Sequence, residues 1–249
     1  MNPRTITLKI RRQDAPDSRA YWDTFELPFK PFANIISCLQ EIQRNPVTVE
    51  GKDVFPVVWD CNCLEEVCGS CTMRVNGRVR QACTALVDKL ESPIVLEPMS
   101  KFPVVRDLQV DRQRMFDNLK KVRAWIEIDG THDIGEGPVF PEKLRSKAYA
   151  LSECMTCGCC LEACPQFTLG NSFLGASTFS QVRLFNMNPI GEMSKEERLE
   201  AVMGEGGIAD CGNAQVCVEV CPKNIPLTES IAEVGRQTSL QVLKNLFVK

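Results

Sequence analysis

The chain has 249 residues, 44% of them hydrophobic and 24% charged, with a net charge of −3, 14 cysteines and a lone histidine, His132. That length holds one large core or, the better expectation, two smaller ones. The slight acid excess leaves no nucleic-acid footprint, no apolar run reaches the roughly 20 residues that span a bilayer, and one histidine leaves little for Cys–His nucleophilic catalysis.

The opening MNPRTITLKIRR lacks the apolar stretch of a signal peptide, so no export signal is expected, and any membrane association is expected to come through a partner. Residues 5–12 (TITLKIRR) and 21–29 (YWDTFELPF) alternate polar and apolar side chains with period two and predict two strands. Residues 32–45 place Ile35, Ile36, Leu39 and Ile42 at helical spacing, with Cys38 in the same stripe, and stop before Pro46. The stretch 73–80 centres on Asn76-Gly77, a favoured pair for a two-residue hairpin turn, and 94–98 (IVLEP) predicts a further strand. A small β-grasp-like sheet over 1–107 is the expectation.

From 108 the pattern turns helical. Residues 110–122 carry an apolar stripe of Met115, Phe116, Leu119 and Val122. The Gly/Pro-punctuated connection 123–141 holds His132, expected as a surface residue. Ser194 with Glu197 forms a capping-box pattern, and Thr228 reads as the cap of a helix running almost to residue 249. The expected fold class is α+β, with a β-grasp domain at 1–107 and an all-α domain at 108–249.

The cysteines carry the chemistry. Fourteen of them without an export signal argue against a disulfide framework and for metal ligands. In DCNCLEEVCGSC, Cys63-x4-Cys68-x2-Cys71 has the plant-type [2Fe–2S] spacing, with Cys83 as a distant fourth ligand brought back by the hairpin. Gly69 and Ser70 permit a tight loop whose backbone N–H groups face the sulfides. In CMTCGCCLEACP, Cys154, Cys157, Cys160 and Cys164 follow the bacterial C-x2-C-x2-C-x3-C-P run, and its fourth cysteine serves a second cluster. The partner run, CGNAQVCVEVCP, repeats the Cys-x3-Cys-Pro tail. Crossed pairing then gives Cys154, Cys157, Cys160 and Cys221 to a [4Fe–4S] cluster. Cys164, Cys211 and Cys217 remain for the second, and a fourth ligand would stand where the chain has Ala214. Alanine has no donor, so this set is assigned to a [3Fe–4S] cluster. Four-cysteine zinc sites also use C-x2-C pairs, but the run with its partner is poor zinc spacing. Cys38 reads as a core residue, and Cys61 and Cys159 as small side chains packed beside clusters.

This ordered set of eleven ligands, together with LEPMSKFPVVRDLQVDR (96–112) and DCGNAQVCVEVCPKNIP (210–226), closely resembles the iron–sulfur subunits of succinate dehydrogenase and fumarate reductase. The resemblance spans essentially the whole chain. It implies a β-grasp ferredoxin domain followed by an α-helical one, in complex with an FAD-bearing flavoprotein and a membrane anchor at the cytoplasmic face of a bacterial cell membrane. The electron route it implies runs from FAD through [2Fe–2S], [4Fe–4S] and [3Fe–4S] to quinone. In ubiquinone-reducing relatives a His follows the second run's first cysteine and a Trp lies five residues past the cysteine of Cys-Pro. Here those positions are Gly212 and Leu169, so the ubiquinone contacts do not carry over. CPQF (164–167) resembles menaquinone-linked fumarate reductases, and WDCNCLEEVCG (59–69) the succinate dehydrogenases of menaquinone-using bacteria. Menaquinone is the expected acceptor, with Pro165 and Gln166 nominated near it.

The residues support the same division of labour. No glycine fingerprint follows a strand, and the glycines of MGEGGIADCG lie in a helical region, so no flavin site is expected on this chain. One histidine offers no acid/base pair for a dicarboxylate. Three other readings stand beside succinate oxidation: a fumarate reductase subunit running in the opposite direction, the electron-transfer subunit of a different flavoprotein complex, and a zinc-structured interaction module.

Overall fold

The computed structural model describes residues 4–127 and 139–247; His132 lies outside them. The chain forms two compact units, Met1–Arg112 with Met155–Glu162, and Gln113–Cys154 with Ala163–Lys249.

In the first unit, β1 (Thr5–Arg12), β2 (Tyr21–Pro28), β3 (Thr72–Val75), β4 (Arg78–Gln81) and β5 (Ile94–Glu97) make one sheet in the order β2-β1-β5-β3-β4. β1 and β5 run parallel and the other pairs antiparallel. The period-two pattern of β1 turns Ile6, Leu8 and Ile10 inward against α1 (Ile35–Arg44). The helix starts where Asn34 accepts from the Ser37 amide at 2.9 Å and Ser37 Oγ accepts from the Asn34 amide at 3.0 Å, closing both ends of a capping box. Its stripe of Ile35, Ile36, Leu39 and Ile42 fills the core with Cys38, as the sequence pattern predicts. Burial pushes the Cys38 thiol up to about 11.

The same alternation also turns Arg12 inward, and it is fully buried. An unpaired buried charge would cost several kcal/mol. Arg12 is paired twice instead, its Nε donating to Asp107 at 2.9 Å and another nitrogen to Asp23 at 2.7 Å, with Phe55 O accepting a third bond at 2.9 Å. Asp107 sits at φ +47° in the turn between β6 (Val104–Arg106) and β7 (Gln109–Val110). It also accepts from the amides of Gln13 and Val58 at 3.1 and 2.9 Å. That network ties the end of β1 to the segment leading into residues 60–71. The unit is completed by α4 (Cys159–Ala163), where buried Glu162 accepts from the Ser100 and Lys101 amides at 2.8 and 3.0 Å.

The second unit is helical: α2 (Gln113–Lys121), α3 (Glu142–Ser152), α5 (Ala176–Met187), α6 (Lys195–Met203), α7 (Val216–Glu219) and α8 (Leu227–Phe247). Buried α5 packs against α8, with Phe179 and Val182 at its core, and α8 also meets α6. Three expectations need correction. In α2 the Phe116 side chain is exposed, and Asn118 takes the inward position by donating to Leu174 O at 3.2 Å. The Ser194–Glu197 capping box does not form, because a 3-10 turn over Gly191–Ser194 runs directly into α6 and Glu197 pairs with Arg123. Thr228 lies inside α8, which starts at Leu227 immediately after Pro226. The glycines of 204–207 close the end of α6. A Cβ at Gly206 (φ +75°) would fall 2.0 Å from Ser172 O, so this glycine serves close packing.

Candidate metal centres

Between Cys63 and Cys71 the backbone folds around sulfur. Leu64 (φ +63°), Glu66 (φ +56°) and Gly69 (φ +71°) take left-handed conformations, and the turns aim three amides at one atom. Cys63 Sγ accepts from Glu65, Val67 and Cys68 at 3.4, 3.3 and 3.3 Å, and Cys68 Sγ accepts from the Ser70 amide at 3.5 Å. Burial opposes ionisation of Cys68, yet the donors from Ser70 and Cys63 outweigh it and pull the thiol down to about 6. Cys71 and Cys83 are buried. The hairpin returns Cys83 to this loop: Thr72 faces Gln81 across β3 and β4, and the Ala82 amide donates to Cys71 O at 3.1 Å. Burial, a hydrogen bond with Cys71 and the charge of Cys63 push the Cys83 thiol up to about 12. Cys83 thus resists ionising beside Cys71 and Cys63, and bound iron would supply the positive charge that lets it do so. The donor set therefore fits a [2Fe–2S] cluster.

The segment 155–162 stands against this loop inside the first unit. A Cβ at Gly69 would come within 2.8 Å of Cys157 Cα, a contact only glycine permits. Cys159 is buried; it donates to Cys157, which brings the Cys157 thiol down to about 7 against the cost of burial and pushes its own well up. Gln81 joins the two stretches. Its Oε1 accepts from Cys71 Sγ at 3.5 Å, and its Nε2 donates to Thr72 Oγ1 at 2.7 Å and to Cys159 Sγ at 3.5 Å. Arg112 donates to the carbonyls of Gly69 and Ser70 at 2.6 and 2.5 Å. Cys160 is buried in α4. Cys154 and Cys221, the other two members of that set, lie half-buried in the second unit, after α3 and α7.

In the second unit, Cys164, Cys211, Cys217 and Ala214 line one small concavity. Asn213 (φ +50°) and Gln215 (φ +60°) take left-handed conformations on either side of Ala214, which lines the same concavity. Burial and the charges of Cys164 and Cys211 push the Cys217 thiol up, against a backbone bond from Val218. Among the described residues no three His, Cys, Asp or Glu side chains converge on one point as a single ion requires. Three thiols around an open concavity fit a cluster. Gln166 also lines it, and a Cβ at Gly212 would fall 2.4 Å from Gln166 Nε2, so that amide fills the space a larger residue at 212 would take. Pro165 is exposed beside it.

The expectation for Cys61 needs correction: its side chain is exposed and not packed. Sequence reading missed Arg12, Gln81 and Arg112. Arg12 had a signal, since a charge on the apolar face of β1 calls for a buried partner. Among the described residues no helix is long and apolar enough to cross a membrane.

Comparison with known proteins follows the same division. A family model described as a 2Fe-2S iron-sulfur cluster binding domain matches residues 7–117, and one described as a 4Fe-4S dicluster domain matches 150–225. The chain is 62% identical over 244 residues to the succinate dehydrogenase iron-sulfur subunit of Bacillus subtilis, covering 98% of this chain and 96% of that one. It is 30% identical over 240 residues to the fumarate reductase iron-sulfur subunit of Wolinella succinogenes, covering 94% and 97%. A solved chain of the Mycobacterium smegmatis Sdh1 complex in its apo form superposes with a TM-score of 0.79 at 20% identity, covering 95% of this chain and 96% of that one, a likeness of fold.

Proposed function

The chain belongs to the family of succinate dehydrogenase iron–sulfur subunits and is an electron-transfer subunit of that oxidoreductase complex; from this premise we propose the route, the ligands and the acceptor. Electrons enter from FAD in a partner flavoprotein and leave to menaquinone beside a membrane anchor, at the cytoplasmic face of a bacterial cell membrane. The clusters supply one-electron carriers in the order [2Fe–2S], [4Fe–4S], [3Fe–4S]. Cys63, Cys68, Cys71 and Cys83 hold the first. Cys154, Cys157, Cys160 and Cys221 hold the second, and Cys164, Cys211 and Cys217 the third. The functional domains are 1–107 and 108–249, with Pro165 and Gln166 on the quinone side.

The observation that carries this reading is the concavity lined by Cys164, Cys211 and Cys217 and, where a fourth ligand would be needed, by Ala214. Such a set suits a cluster with three protein ligands. Succinate oxidation is favoured over fumarate reduction because the identity to the succinate dehydrogenase subunit is 62%, against 30% for the fumarate reductase subunit.

The test is made on the purified complex. About nine irons per chain are expected, with a [3Fe–4S] paramagnetic signal in the oxidised state and succinate-driven menaquinone reduction faster than fumarate reduction. A colourless chain carrying a few zinc ions overturns the cluster assignment, and faster fumarate reduction overturns the direction.

A further inference from the structure

We propose that Arg112 is a positioning residue shared by two centres: its guanidinium holds the Gly69–Ser70 turn against Cys157, and its charge raises the reduction potentials of both the cluster held by Cys63, Cys68, Cys71 and Cys83 and the cluster that Cys157 helps hold. The inference rests on the ligand assignment proposed above.

Its geometry lies wholly within the first unit. Two carbonyls of the tight loop, Gly69 O and Ser70 O, accept from separate guanidinium nitrogens at 2.6 and 2.5 Å, and Thr72 O lies at 3.5 Å. These carbonyls fall between ligands Cys68 and Cys71. On the other side Gly69 presses on Cys157 and on Met155 O, leaving no room for a Cβ. One side chain thus fixes the point where two ligand-bearing segments touch. A forked donor with a fixed plane can bridge adjacent carbonyls, whereas an ammonium offers a single point.

The charge argument is separate. Arg12, in the same unit, is neutralised by Asp23 and Asp107. Arg112 has no carboxylate within ion-pair distance among the described residues. Asp60 is near enough to act on it but accepts from Gln109 at 2.7 Å, and its other electrostatic partners are the sulfurs of Cys157, Cys159 and Cys71. Its Nε is buried with no acceptor among the described residues. A buried donor without an acceptor fits an anionic group lodged beside it. A poorly neutralised positive charge in a low-dielectric site favours the added electron on either side of the contact. With clusters bound, the residues Cys63, Cys68, Cys71 and Cys83 would hold the donor and Cys157 would help hold the acceptor, each carrying one electron on its iron with no proton transferred. Because Arg112 acts on both, the two potentials move in the same direction and the gap between them changes less than either.

Paramagnetic-resonance redox titration of the purified complex tests this with Arg112→Gln and Arg112→Lys. The Gln variant should lower both midpoint potentials, shifting each reduction equilibrium about tenfold, about 59 mV for a one-electron couple. The Lys variant, keeping the charge and losing the fork, should hold both potentials near wild type while loading fewer clusters. Unshifted potentials in a loaded Gln variant overturn the inference, as does a Lys variant whose potentials fall by that same tenfold shift. If the Gln variant does not load, the Lys variant decides by that criterion. In all these outcomes the wild-type signals are present; their absence would instead overturn the ligand assignment, and this inference with it.

Discussion

The loop at 60–71 and the concavity at Cys164, Cys211 and Cys217 prepare sulfur for the same metal by different means. In the loop the backbone does the work: three amides converge on Cys63, and Cys68 is drawn down to about 6. In the concavity burial and neighbouring sulfur dominate, and Cys217 is pushed up. The loop readies the thiolate before metal arrives. The concavity relies on shape and on a side chain that stops at a methyl, and the raised Cys217 thiol there would ionise only with the help of a bound cation. Ligand sets of similar composition can therefore differ in which part of the chain makes them selective, backbone conformation in one and side-chain size in the other.

The largest effect should come from breaking the loop. Cys63→Ser removes the atom on which the amides converge, and the [2Fe–2S] paramagnetic signal should be lost while the signals of the other two clusters persist, because those ligands lie outside 60–71. Retention of the [2Fe–2S] signal would show that the convergence of amides on Cys63 is not what holds it.

An intermediate effect tests the other side. Ala214→Cys puts a donor where the concavity has only a methyl, and should convert the [3Fe–4S] centre to [4Fe–4S]. The oxidised protein should lose its [3Fe–4S] signal. The added anionic ligand should lower the potential by about 59 mV or more, a tenfold change for a one-electron couple. Menaquinone reduction should slow, with flavin-linked succinate oxidation by an artificial acceptor less affected. A wild type that shows no [3Fe–4S] signal while fully loaded with iron would contradict the three-ligand reading.

The smallest effect sharpens the contrast between backbone and side chain. A Cβ at Gly212 meets only the flexible end of Gln166, so Gly212→Ala should cost less than about 1 kcal/mol in thermal unfolding. A larger loss would mean that the Gln166 amide is fixed in place.

Much of this was legible in the sequence, because the signals were local. The Asn76-Gly77 hairpin, the alternation of β1 and β2 and the stripe of α1 each follow from residues a few positions apart, and the family assignment followed from cysteine spacing. What escaped depended on distant partners. Asn118 turned inward because Leu174 O offers an acceptor 56 residues away. Ser194 lost its capping role to the 3-10 turn before it, and Glu197 to Arg123. Arg112 and Gln81 read as ordinary polar residues until residues 155–162 were placed beside them. Cys61 stands two positions from Cys63 but is exposed, and spacing alone does not show that it faces solvent.

The membership of residues 155–162 in the first unit sets a timetable for synthesis. When Arg112 leaves the ribosome all five strands of the sheet have emerged, but the stretch that packs on Gly69 and carries Cys159 to Gln81 has not been made. Another 50 residues separate Arg112 from Glu162 (162 − 112), several seconds at about 5–20 residues per second. Through that interval the loop 60–71 and Gln81 are open to the cell. A loading machinery for iron and sulfide would reach the first site during this window and would find it covered on that side afterwards.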